Sequence, residues 1–143
     1  MNRKRLPTER DFDPFGGCLD AQCAWRNFGG LTLDEAHARF SENPLYYQED
    51  FMFMGHGALA YYFPVIDKYM RSGDDDDQAR IIAQGLFLQF QLEDTSLIEP
   101  LKPSIIDLAT FVIENIEKFG DDEKERRQVS DAWGKLVKHG ASE

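Results

Sequence analysis

Apolar positions recur along most of the chain at three- and four-residue steps, the spacing that gives one face of an α-helix. Between Gly17 and Gly29, Cys18, Ala21, Ala24, Trp25 and Phe28 follow that rhythm, and the glycines punctuate both ends. Thr32 reads as a helix N-cap, with Asp34 and Glu35 suiting the positive helix start and Leu33, Ala36, His37 and Phe40 forming a stripe. Asn43-Pro44 ends that element, because a residue before proline is pushed out of the helical region. Two further helices, about 45–54 and 57–71, are expected on either side of Gly55-His56-Gly57. Pro64 predicts a kink or restart in the second, and the all-round apolar run Ala58–Ile66 predicts a central element.

The C-terminal half continues in the same register. A helix over about 75–92 follows four aspartates, Asp74 to Asp77. Leu86 to Leu92 also alternates like a strand, but no second strand-like run is present to pair with it, so the helix is favoured. After a loop over 93–103, Ser104 reads as the cap, with Asp107 as its partner, of a helix buried through Ile105, Leu108, Ala109, Val112, Ile113 and Ile116. Gly120 stops it. The last helix, about 121–138, buries Val129, Ala132, Trp133, Leu136 and Val137 and is closed by Gly140. These elements predict an all-α fold: a compact single-domain antiparallel bundle of six or seven helices. Residues 1–14 are expected to form a mobile basic and acidic segment, and residues 15–140 the helical domain.

Composition narrows the function classes. At 143 residues the chain can bury a core without metal or disulfide, and the 29% of charged residues is ordinary for a folded domain. The formal net charge of −10 argues against nucleic-acid phosphates as partners. No apolar segment follows the basic N-terminus, and the charge-free run Phe51–Ile66 is shorter than the ~20 apolar residues of a spanning helix. The expectation is a cytoplasmic protein without membrane contact. Cys18 and Cys23 fit neither a CxxC redox motif nor a zinc framework and are expected to be packed thiols.

Reactive chemistry finds little support. His37, His56 and His139 occupy separate segments without metal-ligand spacing, so no metal and no cofactor are expected. Neither GxSxG nor SxxK occurs, GHGALA lacks the lysine of a phosphate loop, and the chain is not expected to be an enzyme. The most distinctive feature is compositional. All five tyrosines fall between Tyr46 and Tyr69, and residues 31–77 hold ten acids against three bases. Such a surface offers aromatic anchors within a field that attracts a cation.

The stretch Asn43 to Gly55, followed by Ala58-Leu59-Ala60-Tyr61-Tyr62-Phe63-Pro64, resembles a group of small, acidic, uncharacterised bacterial all-α proteins. Those share an acid pair, an aromatic and methionine turn and an A-x-x-Y-Y-x-P core. Size and acidity are also similar to toxin-immunity proteins. The resemblance implies a bacterial origin and a partner-binding role. With the acidic, tyrosine-rich composition, the expectation is an immunity- or inhibitor-like protein that captures a basic partner electrostatically and acts by steric blockade in place of chemistry. The expected contact surface is Tyr46, Tyr47, Glu49, Asp50 and Asp74, Asp75, Asp76 and Asp77. Two rival readings are a homo-oligomer sealed by a Phe/Met-rich face, and a ligand carrier or enzyme with a cleft at His56, Tyr61 and Tyr62 beside the 57–71 helix.

Overall fold

The structure, a computed structural model, describes residues 5–72, 78–91 and 94–141. The described residues include eight α-helices and two 3₁₀ turns, without a strand among them. In chain order the helices are α1 Glu9–Phe12, α2 Leu19–Phe28, α3 Leu33–Glu42, α4 Pro44–Phe53, α5 His56–Arg71, α6 Ala79–Gln89, α7 Lys102–Glu114 and α8 Glu123–Ala141. The all-α architecture is as the periodicity predicts, with one helix more than expected.

Helix ends follow local chemistry where that chemistry is complete. Thr32 accepts from the Glu35 amide while the Glu35 carboxylate accepts from the Thr32 amide, a reciprocal pair that starts α3. Asn43 closes α3 and caps α4, with Pro44 in the first turn where a missing N–H costs nothing. The start of α7 is a correction. Ser104 is not its cap, because the helix begins at Lys102 and Pro103 occupies its first turn. Asp107 turns instead to Arg71, 2.9 Å away, which also pairs with Asp67 and lies over the Phe111 ring. α5 does not restart at Pro64. It runs through that residue, which lies on its exposed face where water can satisfy the freed carbonyl.

α5 is the central element, burying Ala58, Leu59, Tyr62, Phe63, Val65, Ile66 and Met70. One side of it holds an aromatic cluster in which Phe28 meets Phe51 edge-on at 5.2 Å and Phe51 meets Phe40 at 5.4 Å. The buried Tyr62 hydroxyl donates to the carbonyls of Phe28 and Leu31, so the aromatic side carries no orphaned hydroxyl there. The other side, from α6 to α8, is mainly aliphatic around Trp133, whose indole N–H donates to the Ala79 carbonyl at 3.0 Å.

The packed domain begins before residue 15. Phe12 is fully buried, its ring 5.4 Å from Trp25 and 5.8 Å from Tyr62, and α1 packs on α2 and α5. A reciprocal cap between Thr8 and Asp11 holds this single turn of helix. In α8, a Cβ built on Gly134 would meet nothing within 4 Å. Gly134→Ala is therefore expected to stabilise the fold by about 1 kcal/mol through helix propensity, read as a higher urea midpoint.

Candidate functional site

α4 has two working faces. At the 3.6-residue pitch, roughly 100° per residue, Leu45, Tyr46, Glu49 and Phe53 fall within an arc of about 100°. All four are exposed. The opposite arc buries Gln48, Asp50 and Phe51, while Tyr47 is half-buried edge-on to Phe28 at 5.5 Å. The outer face thus combines three large apolar side chains with one carboxylate. From Phe40 to Asp67 the chain contains Glu42, Glu49, Asp50 and Asp67 and no lysine or arginine.

Beneath that face, Asp50 is 5% exposed, and its carboxylate accepts from the Asn27 amide at 2.8 Å. Burial raises its pKa from 3.8 to about 6; Glu49 adds to the rise, while Asn27, the Cys23 thiol and Arg26 oppose it. Asp50 is therefore a correction to the expected contact surface. It lies between α2 and α4, and only Glu49 of the acid pair faces outward. Asp74 to Asp77 lie outside the described residues.

Two of the three residues of the expected cleft are packed away. His56 is buried, with Nε2 3.1 Å from the Gln89 carbonyl. Tyr62 is buried, and desolvation pushes its hydroxyl up to about 12. Tyr61 is half-buried, edge-on to Tyr62 at 4.8 Å. A small void lies between α4 and α6, beside Gln48, Phe51, Met52, Ile82, Gly85 and Leu86. At about 10 Å³ it has room for one water molecule, next to the buried Gln48 Oε1, which has no hydrogen-bond partner.

Gln89 anchors α4 from α6. Its buried Nε2 lies 2.9–3.0 Å from the carbonyls of Phe51, Met52 and Met54, the groups a helix C-terminus leaves unpaired. At the far end of that junction, the Gly55 amide donates to the Phe12 carbonyl at 2.8 Å. A Cβ at Gly55 would lie 2.3 Å from the Asp11 carbonyl and 2.9 Å from Pro14 Cδ, so α1 rests directly on the α4–α5 corner.

Cys18 and Cys23 are both free thiols. Cys23 is half-buried, but Cys18 is exposed, contrary to the expected packing, because it precedes α2 at a surface turn. No group of three or more His, Cys, Asp or Glu side chains among the described residues could hold a metal ion. None of the described helices is long and apolar enough to cross a membrane. Sequence reasoning missed Leu45, Phe53 and Gln89. The spacing 45, 49, 53 marks the outer arc, but an apolar residue on a helix is assigned to the core by default.

Comparison of the chain with family models, with curated proteins and with solved structures finds no match.

Proposed function

We propose that this chain is an acidic protein-binding module that occupies a cationic surface of a partner, in the manner of immunity or inhibitor proteins. The observation that carries the reading is the outer face of α4. There Leu45, Tyr46 and Phe53 stand exposed around Glu49, in a stretch free of lysine and arginine. The net charge of −10 speeds encounter with a cation, and the apolar side chains supply the contact that persists once water leaves. Action is by blockade of the partner, without catalysis, in the bacterial cytoplasm to which the sequence resemblance leans. Asp50 and Tyr47 support this face from beneath and do not touch the partner.

A photo-crosslinking residue at position 46, compared with one at position 130 on α8, tests the reading. The expected product is a basic protein joined at position 46 only. Its binding to the purified chain then weakens at least about tenfold in Leu45→Ser/Tyr46→Ser/Phe53→Ser and slows in Glu49→Gln, with a shallower salt dependence. Binding unmoved by the triple substitution overturns the reading. The homo-oligomer is a defined outcome too: light scattering that shows a dimer abolished by the triple substitution replaces the foreign partner with a second copy. Glu42 and Glu49 in two apposed copies would repel, which disfavours that outcome.

A further inference from the structure

α4 rests on the domain through an inner face that is short of apolar contact. Of its three buried side chains two are polar, Gln48 and Asp50, beside Phe51. A helix is held to its core by an apolar stripe, and polar groups gain little from leaving water. Gln48 has its Oε1 buried without a hydrogen-bond partner, beside the void between α4 and α6. An orphaned acceptor and a gap in packing each weaken the contact that they interrupt.

Asp50 lies on the adjoining seam, against α2. Its carboxylate accepts from the Asn27 amide at 2.8 Å and from the Cys23 thiol, both neutral donors. Among the described residues no lysine or arginine forms an ion pair with it. The charges that act on it are Glu49 on α4, which opposes ionisation, and the exposed Arg26 on α2, which favours it less strongly. On α3, Arg39 donates to the Asn27 main-chain carbonyl, and His37 lies toward Lys68 of α5. Asp20 of α2 and Asp34, Glu35 and Glu42 of α3 are exposed. The one charged side chain of α6 is Arg80, exposed in its first turn. An ionised Asp50 is therefore a buried charge without a counter-charge, which a fold tolerates poorly.

The two ends of α4 are held unequally. Gln89 grips the carbonyls of Phe51, Met52 and Met54 at the C-terminal end. At the other end Asn43, with φ −160° and ψ 76°, breaks the helical path from α3.

We infer that the α2–α4 seam is a proton-operated latch: α4 stays seated while the Asp50 carboxyl is neutral and opens locally, from its N-terminal end, once that carboxyl is charged. The latch does not depend on the proposed function, since it concerns the inner face of α4 and not what meets the outer one. The seated carboxyl holds its proton up to about 6, whereas one released into water gives it up near 3.8. Seating is accordingly firmest below about pH 4, and the loss is complete above 6.

Hydrogen exchange of the full-length chain at pH 4.5 and pH 7, expressed as protection factors so that the intrinsic effect of pH cancels, tests the latch. At pH 7 the α4 amides are expected to be at least about tenfold less protected than those of α8, and to be insensitive to low urea because little surface opens with them. Their protection should rise about ten- to thirtyfold at pH 4.5. In Asp50→Asn that rise should vanish, with α4 already well protected at pH 7. Equal protection of α4 and α8 in the wild-type chain would show that α4 opens only when the whole domain does, and overturns the latch without any variant. A rise that persists in Asp50→Asn overturns it too.

Discussion

Asp50→Asn is expected to raise the melting temperature by about 3–6 °C at pH 7 and to change it little at pH 4. The carboxyl is buried between α2 and α4, and its pKa stands near 6 instead of 3.8. Between about pH 4 and 6, folding therefore holds a proton on Asp50 that the unfolded chain releases. Stability from this group is full below about pH 4 and is lost as pH rises through 6. A pKa raised that far sets an upper bound of about 3 kcal/mol on the loss. Asparagine keeps an oxygen to accept from Asn27 at 2.8 Å but forfeits a charge-assisted bond, which leaves a net gain of about 1–2 kcal/mol. Asp13, Asp94 and Glu99, whose pKa values are lowered, act in the opposite sense and weaken the fold in acid. The difference between variant and wild type, followed by thermal melts from pH 4 to 7, isolates Asp50. A difference that stays constant across that range would show that the buried charge is not its source.

Gln89→Met is expected to act in the opposite direction and to destabilise the fold by about 2–4 kcal/mol. Methionine matches the length of glutamine but removes the side-chain amide that faces the carbonyls of Phe51, Met52 and Met54. Buried acceptors stranded at a helix end each cost about 1–3 kcal/mol, shared here because one NH₂ group serves three oxygens. Guanidinium titration reads the loss, and hydrogen exchange locates it: α4 amides should open before those of α8. The His56 contact is to the Gln89 main-chain carbonyl and survives the substitution. A loss under about 0.5 kcal/mol would mean that the three carbonyls find other donors, and that α6 does not hold α4 in place.

The parts of this fold that could be read from the chain are those with local rules. Thr32 with Glu35, and Asn43 with Pro44, carry their own hydrogen-bond logic, so α3 and α4 begin where expected. α1 escaped because one turn of helix with a single buried residue, Phe12, has no period to detect. Ser104 misled because its hydroxyl makes a plausible cap, while Pro103 is equally content in the first turn of a helix. The candidate site was half visible. Tyr46 and Glu49, expected at the surface from the tyrosine-rich acidic stretch, are exposed. Glu49 and Asp50, however, are indistinguishable in composition, and only Asn27, 23 residues upstream, marks Asp50 as the inward one. Leu45 and Phe53 required knowing that the other side of α4 was already filled.

At the corner where Pro14 and the Phe12 carbonyl close on Gly55, even a methyl group would collide with main chain. Two exposed apolar projections, Phe15 on one side and Phe53 on the other, are consequently held apart by backbone and not by adjustable side chains. Any side chain at position 55 would push α1 off the α4–α5 corner, so the relative placement of the two projections depends on one glycine.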